Sequence, residues 1–127
     1  MHSAQFYYCE HCENLVEMVH SSGVNLLCCG QDMTELTPNT TDAAGEKHLP
    51  VITQEGNKIH VEVGSTAHPM GADHYIAFIC LETKHGCQRK ELRIDAPPCA
   101  DFMLTEGDQP VAVYAYCNLH SLWMTEL

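Results

Sequence analysis

Cysteines occur in two close pairs near the start of this sequence, at spacings that suit metal binding. The segment "CEHC" holds Cys9 and Cys12, and "LLCCG" holds Cys28 and Cys29. A Cys-x-x-Cys turn allows two thiolates to bind one ion, and a second pair completes a tetrahedral site. Because Cys28 and Cys29 are adjacent, their ligand angles are restricted and a distorted tetrahedron is predicted. Four thiolates suit iron or zinc, and the spacing does not decide between the two metals.

A second group of potential ligands is spread over three later segments. The segments "GEKHLP", "TAHPMGADHY" and "YCNLH" contain the candidates His48, His68, His74, Cys117 and His120. His68 and His74 flank the loop "PMGAD", so their imidazoles can converge from its two ends, and Pro69 restricts the backbone of His68. Cys117 and His120 follow the apolar run "VAVYAY" and are placed to face the same centre. Other histidines are expected to be exposed or hydrogen-bonded, namely His2, His20, His60 and His85.

The charge and cysteine content restrict the classes of function. The formal net charge is −11 with six Lys plus Arg, which argues against nucleic acid and anionic membranes as partners. A small anionic substrate would therefore need a local positive charge at its site. The eight cysteines favour metal or redox roles in a reducing compartment. Apolar runs stay well below the roughly 18 residues of a membrane span and no signal peptide is recognised, so the sequence predicts a soluble, cytoplasmic protein.

These candidate ligands must be positioned by a largely β-structured chain. Residues 1–36 are too few to bury a stable core and are predicted to fold around the four-cysteine metal site. Within them, "ENLVEMVHSSGVNL" is typical of a short strand, a Ser-Ser-Gly turn and a second strand. The polar, turn-rich residues 37–45 are predicted to be a linker.

Residues 46–127 show short strands separated by turn signals, without helical periodicity. The segment "NKIHVEVG" alternates, with Ile59, Val61 and Val63 on one face. The segment "HYIAFICLET" is apolar on both faces, as in a central strand, and "VAVYAYC" is predicted to be the last strand. Several short strands at this spacing favour an antiparallel β-sandwich.

Together these motifs closely resemble the desulfoferrodoxin family, the two-iron form of superoxide reductase, over nearly the whole chain. The resemblance depends on "CEHC" and "CC", followed by "DAAGEKHLP", "GSTAHPM", "HYIAF" and "YCNLH", in the family's order and at matching spacings. It implies an all-β chain in which a small desulforedoxin-like (rubredoxin-type) metal ribbon precedes a neelaredoxin-like, immunoglobulin-like antiparallel β-sandwich. It also implies a homodimer.

The resemblance further implies two iron ions as cofactors. Iron centre one would be bound by four thiolates, from Cys9, Cys12, Cys28 and Cys29. Iron centre two would be bound by four imidazoles and one axial thiolate, from His48, His68, His74, His120 and Cys117.

The same resemblance assigns catalytic roles to Glu46 and Lys47, which match the family's Glu-Lys pair. Lys47 would attract superoxide and hold a water that donates a proton, and Glu46 would bind the oxidised iron until it is reduced. The implied reaction is the one-electron reduction of superoxide to hydrogen peroxide, which protects against oxidative stress. An external electron donor such as rubredoxin would supply the electron.

Other interpretations use part of the same pattern. A zinc-stapled binding module without catalysis explains the four early cysteines but needs neither "EKH" nor "YCNLH". An electron-transfer or oxygen-sensing protein would also use iron, and superoxide dismutation would release oxygen without consuming an external reductant. Cys80, Cys87 and Cys99 are expected to remain thiols in a reducing compartment, and no role is assigned to them.

Overall fold

A computed structural model describes residues 3–41 and 47–127 of the chain. Every regular element in these ranges is a β-strand, which confirms the all-β prediction. The described residues contain no helix that is long and apolar enough to cross a membrane. The chain divides into two compact units, residues 3–37 and residues 38–127, which are described separately below.

The smaller unit contains five short strands. They are β1 (Phe6–Tyr8), β2 (Leu15–Glu17), β3 (Leu27–Cys28), β4 (Gln31–Asp32) and β5 (Thr34–Glu35). Strand β1 lies between β2 and β5 in an antiparallel sheet, and β3 pairs with β4 in a separate hairpin. Among the described residues of this unit, the buried hydrophobic side chains are those of Phe6 and Cys9. A core this small does not stabilise the unit by itself, so the unit needs an additional crosslink such as a bound metal ion.

The strand pair predicted around the Ser-Ser-Gly turn is only partly present. Strand β2 forms at its start, and the Gly23 amide donates to Ser21 Oγ at 3.1 Å in the turn. The second strand begins only at Leu27, and it pairs with β4 instead of β2. Val19 and Val24 are both largely exposed, so this stretch has no buried face that would hold a longer strand in register.

The larger unit is built from two antiparallel sheets. Its strands are β6 (Pro50–Glu55), β7 (Lys58–Val63), β8 (Ile76–Thr83), β9 (Gly86–Glu91), β10 (Cys99–Met103), β11 (Pro110–Cys117) and β12 (Ser121–Glu126). One sheet has the order β10-β7-β6 and the other has the order β12-β11-β8-β9. The two sheets form the predicted sandwich, with β8 in a central position.

The core of the larger unit lies between these two sheets. Ile59, Val61 and Val63 alternate inward along β7, as their period-two pattern predicted, while His60 and Glu62 face outward. From the facing sheet, the buried cluster receives side chains of β8 and β11, namely Ile76, Ile79, Leu81, Val113, Ala115 and Cys117. Cys117 is therefore an inward-facing core position at the end of its strand.

The prediction that "VAVYAYC" is the last strand is wrong, because β12 follows it. The two strands form a hairpin in which Cys117 pairs with Ser121. Three consecutive residues of β12 are buried, Leu122, Trp123 and Met124. Their run lacks the polar and apolar alternation by which a half-buried strand is recognised in a sequence. The hairpin places the turn of "YCNLH" at one end of the sandwich.

Candidate metal centres

The four early cysteines come together in the smaller unit. Their Sγ atoms all lie within 4.8 Å of one another, and the Sγ atoms of Cys12 and Cys28 are 3.6 Å apart. Cys9 and Cys12 lie on the turn after β1, where the Cys12 amide donates to Cys9 Sγ at 3.4 Å. This arrangement matches the metal-binding turn expected from "CEHC".

The adjacent pair Cys28 and Cys29 is made possible by a tight hairpin. Cys28 pairs with Gln31 at the end of the β3–β4 ladder, so Cys29 and Gly30 form a two-residue loop. Both loop residues have positive φ, 55° and 76°, as a type I′ turn requires. The turn reverses the chain between Cys28 and Gln31, and the Cys28 and Cys29 sulfurs approach to 4.0 Å.

The protonation of this cluster indicates that it is built for a cation. The Cys12 amide lowers the pKa of Cys9 to about 6. Hydrogen bonding with the Cys12 thiol raises the pKa of Cys29 to about 12 and also raises that of Cys28. Four thiolates this close therefore do not form at neutral pH unless a bound cation supplies the compensating charge. The donor set fits a tetrahedral thiolate metal site.

The second cluster lies at one end of the larger unit. His48 lies just before β6, His68 and His74 lie in the loop between β7 and β8, and Cys117 and His120 lie at the β11–β12 turn. Pro50 pairs with Val63, and Cys117 pairs with both Ile76 and Ser121. The starts of β6, β8 and β12 therefore meet the ends of β7 and β11 at the same edge. Antiparallel pairing thus gathers residues that are up to 72 positions apart.

The four imidazoles form a closed ring of edge-to-face contacts. Ring centroids are 5.0 Å apart for His48 and His68, 4.6 Å for His68 and His74, 5.1 Å for His74 and His120, and 4.9 Å for His120 and His48. The interplanar angles lie between 65° and 80°. Each ring thus touches two neighbours, and the four surround a common centre.

The hydrogen bonds identify which ring atom each histidine directs at this centre. His68 Nδ1 donates to the Pro69 carbonyl at 2.7 Å, which leaves Nε2 as its acceptor atom. His48 Nε2 and His120 Nδ1 approach each other to 3.1 Å. The Nε2 atoms of His68 and His74 are buried without a hydrogen-bond partner among residues 3–41 and 47–127. Buried nitrogens normally have a partner, so these two fit a metal ion.

Cys117 contributes a sulfur beside the ring nitrogens. The side chain is fully buried, and its Sγ lies 3.7 Å from His120 Nδ1. One donor atom each from His48, His74, Cys117 and His120 forms a group within 4.8 Å, and His68 adjoins it through its ring contacts. Burial raises the pKa of Cys117, while hydrogen bonds from the Leu119 and His120 amides lower it. Those amides stabilise a thiolate on the turn that carries it.

Lys47 provides a positive charge next to this cluster. It is exposed and directly precedes the buried His48. Burial lowers the pKa of His74, and the charges of His120, His48 and Lys47 lower it further. Lys47 is therefore close enough to act electrostatically on the histidine ring. Glu46 lies outside the described residues.

Two residues that were not predicted from the sequence shape the cluster. The Trp123 indole stacks on the His48 ring at 4.5 Å and 15°, and its Nε1 donates to the His120 carbonyl at 2.9 Å. Gly64 has a φ of +85°, and a Cβ there would lie 2.3 Å from the Thr66 oxygen and 2.6 Å from the Lys47 oxygen. The glycine in "GSTAHPM" was a visible signal of such a close backbone approach.

Among the described residues, His20, His60 and His85 and the remaining cysteines are not members of either cluster. His60 is hydrogen-bonded to Asp101 at 2.6 Å and to Glu62 at 3.2 Å, and Asp101 raises its pKa most. His20 and His85 are exposed, as expected, and His2 lies outside the described residues. None of the eight cysteines, Cys80, Cys87 and Cys99 included, forms a disulfide within residues 3–41 and 47–127.

The fold and the two donor clusters define a metal-binding all-β protein with two centres, and known proteins share this organisation. The family model described as desulfoferrodoxin matches residues 40–126, and the model of the desulfoferrodoxin N-terminal domain matches residues 2–36. A desulfoferrodoxin homolog of Archaeoglobus fulgidus is 46% identical over 121 residues, 95% of either chain. The desulfoferrodoxin of Nitratidesulfovibrio vulgaris is 42% identical over 96% of this chain and 95% of its own.

A comparison with solved structures gives the same type of protein. The crystal structure of the superoxide reductase from Treponema pallidum has a TM-score of 0.84 and 35% identity, and 98% of each chain is covered. The chain therefore belongs to the desulfoferrodoxin family.

Proposed function

We propose that the chain is a superoxide reductase, which reduces superoxide by one electron to hydrogen peroxide. The Treponema pallidum structure bears that name, and so does a Thermococcus kodakarensis relative that is 30% identical over 75% of this chain. Desulfoferrodoxins carry a four-cysteine iron centre and a second iron bound by four histidines and one cysteine. The two donor clusters of this chain match both centres, and its cofactors are two iron ions.

At the residue level, we assign iron centre one to Cys9, Cys12, Cys28 and Cys29. Iron centre two is assigned to His48 Nε2, His68 Nε2, His74 Nε2, His120 Nδ1 and Cys117 Sγ. The carrying observation is the closed ring of four imidazoles with a buried thiol beside it. A zinc-stapled module would have no use for this second set of donors.

Ferrous iron bound by these five donors would supply the electron that superoxide accepts. The protein's own groups act around this step. The amides of Leu119 and His120 donate to the Cys117 sulfur and offset part of the rise in its pKa caused by burial; in the metal-bound thiolate they would limit how strongly the sulfur donates to the metal. Burial keeps the His68 ring neutral, and the bond to the Pro69 carbonyl places its single proton on Nδ1. His68 therefore binds a metal without losing a proton, whereas the Cys117 thiol releases its proton on binding.

Lys47 attracts the anionic substrate to a molecule whose net charge is −11. Two unit charges about 4 Å apart interact by roughly 4 kcal/mol at an effective dielectric of 20. Distant carboxylates act weakly, because salt screens exposed charges beyond about 8 Å. Lys47 also holds a water that donates a proton to the product. Glu46 is proposed to close the site after oxidation and to leave it on reduction.

Stopped-flow mixing of the reduced protein with superoxide tests this function. We expect a fast second-order reaction and the consumption of one reducing equivalent per superoxide. Cys117→Ser should abolish the reaction and the long-wavelength thiolate-to-iron band, while the colour of the four-cysteine iron remains. Cys99→Ser, at a half-buried cysteine outside both clusters, is the matched control. Retained activity in Cys117→Ser, or oxygen release without use of reductant, would refute the proposal.

We further propose features of the whole protein that rest on the family resemblance. These are a homodimer, an external electron donor such as rubredoxin, a role for iron centre one in electron transfer, and a cytoplasmic location. The domains are proposed as residues 1–36 and 46–127, joined by a linker over residues 37–45. Sedimentation of the iron-loaded protein tests the dimer, and reduction of the protein by added rubredoxin tests the donor.

A further inference from the structure

We propose that Asn118 is a positioning residue that fixes the direction of the His74 imidazole. It does so by joining the loop that carries His74 to the turn that carries Cys117 and His120. The inference rests on the proposed function in one respect, that His74 is a ligand of iron centre two. Asn118 itself contacts neither the metal nor the substrate in this assignment.

Asn118 bonds to the residues on both sides of His74. Its Oδ1 accepts from the Tyr75 amide at 2.8 Å, and its Nδ2 donates to the Asp73 carbonyl at 3.0 Å. The Asn118 amide also donates to the Tyr75 carbonyl at 3.2 Å. Both ends of the carboxamide and the backbone of Asn118 therefore hold the peptide groups that flank His74.

His74 needs this external support because no hydrogen bond to its ring is found among residues 3–41 and 47–127. The Nε2 atoms of His68 and His74 are both buried there without a partner. The His68 ring is nevertheless held through Nδ1 by its bond to the Pro69 carbonyl, and the His74 ring has no such bond. The ring only packs edge to face against His68 and His120. Its direction is therefore set by the backbone at residues 73 and 75, which is what Asn118 holds.

The chemistry of this contact is specific for a carboxamide. One end must accept a hydrogen bond from an amide, and the other must donate one to a carbonyl, about 2 Å away on the same planar group. Aspartate has the same shape but would direct a second acceptor at the Asp73 carbonyl. Serine is too short to reach both partners. Asn118→Asp thus removes one bond of the pair, and Asn118→Ala removes both side-chain bonds.

An anaerobic ferrous iron titration of the metal-free protein tests the proposal, with the four-cysteine centre of the same molecule as internal reference. We expect Asn118→Ala to weaken iron binding at the histidine cluster by about 10–100-fold, the usual effect of losing an outer partner of a ligand. Binding at the four cysteines should not change. Asn118→Asp should give a smaller loss. Asn57→Ala, at an exposed hairpin asparagine of the same unit, is the control.

Hydrogen exchange of the metal-free protein provides a readout independent of iron. The Tyr75 amide should exchange faster in Asn118→Ala and stay protected in Asn118→Asp, which keeps the acceptor. Wild-type iron affinity at the histidine cluster in both variants would overturn the inference. If Asn118→Ala does not fold, the isosteric Asn118→Asp decides alone. A wild-type protein that binds iron but does not reduce superoxide would refute the proposed function while leaving this result intact.

Discussion

At the scale of single residues, His68 is prepared for metal binding before an ion arrives. Burial lowers its pKa to about 4, so the ring is neutral at physiological pH. The bond from Nδ1 to the Pro69 carbonyl then leaves the lone pair on Nε2. Metal binding at this nitrogen displaces no proton, so His68 adds no pH dependence to metal binding near neutrality.

Lys47 is the residue whose loss should most directly affect substrate capture. We expect Lys47→Ala to slow the second-order reaction with superoxide by about tenfold or more at low salt, since a local cation raises the encounter rate of an anion. The salt dependence of the rate should also become smaller. Stopped-flow measurements over a series of ionic strengths check both effects. Lys84→Ala, at an exposed lysine of the β8–β9 turn, should change neither, and equal slowing by both variants would contradict the role of Lys47.

Residue types and family motifs predicted the donor side chains, but they could not predict which atom of each side chain faces the centre. Whether a histidine presents Nε2 or Nδ1 depends on how its ring is turned. For His48 and His120 this depends on Trp123, which stacks on one ring and bonds to the backbone of the other. Trp123 lies on a strand that the sequence pattern did not reveal, so its contribution could not be predicted.

At the scale of elements, the loop between β7 and β8 has to bring two ligands back to the sandwich edge. Its first residue, Gly64, donates its amide to the Leu49 carbonyl at 2.9 Å, and the His68 amide bonds to the Val63 carbonyl at 3.2 Å. The first bond connects the loop to the segment before β6, and the second connects it to the end of β7. The backbone approaches so closely at Gly64 that only a residue without a side chain fits.

Gly64→Ala should therefore lower the free energy of unfolding of the larger unit by more than the cost of placing an alanine at a positive φ. A non-glycine residue with positive φ costs about 1–2 kcal/mol, and the Cβ at Gly64 would also collide with two carbonyl oxygens. Gly107→Ala is the matched control, because Gly107 has a similar φ of +87° but nothing within 4 Å of its Cβ position. Thermal unfolding should show the larger decrease in Tm for Gly64→Ala, with iron lost from the histidine cluster. Equal Tm decreases would show that the collision is relieved without cost.

The elements themselves were predictable to different degrees. Strands β7 and β8 were recognised because one alternates and the other is apolar throughout, and both patterns follow directly from burial. Strand β12 was missed because its three consecutive buried residues do not alternate with polar ones, as the residues of a half-buried strand do. The β3–β4 hairpin was missed because its turn consists of Cys29 and Gly30, and the cysteine there was interpreted only as a ligand.

At the scale of the whole molecule, the two units depend on their metals to different extents. The larger unit has a continuous apolar core drawn from both sheets. The smaller one has little buried apolar surface among its described residues, so metal binding supplies much of its folding free energy. The core of the larger unit does not depend on a metal, so the effect of its histidines on the free energy of unfolding can be measured in the metal-free protein.

The stability of the metal-free protein should fall as the pH is lowered from neutrality. The pKa of His68 is about 4 in the folded state, against 6.5 for an unperturbed histidine. Below pH 6.5 the unfolded state binds a proton that the folded state does not, so the stabilisation present above that pH is lost progressively down to about pH 4. The slope for one such group approaches about 1.4 kcal/mol per pH unit.

Denaturant unfolding of the metal-free protein between these pH values measures the slope. His68→Asn should flatten it, because the titrating group is gone, whereas His85→Asn, at an exposed histidine, should leave it as it is. His60 acts in the opposite sense, since Asp101 raises its pKa and its contribution is lost as the pH rises. An unchanged slope in His68→Asn would contradict the assigned protonation.

The stacking of Trp123 on His48 has an optical consequence. The chain contains a single tryptophan, so all indole emission comes from a group 4.5 Å from an imidazole of the second cluster. A paramagnetic ion held by that imidazole quenches the excited indole. The intensity of this natural fluorophore thus responds to the filling of the histidine cluster without a label.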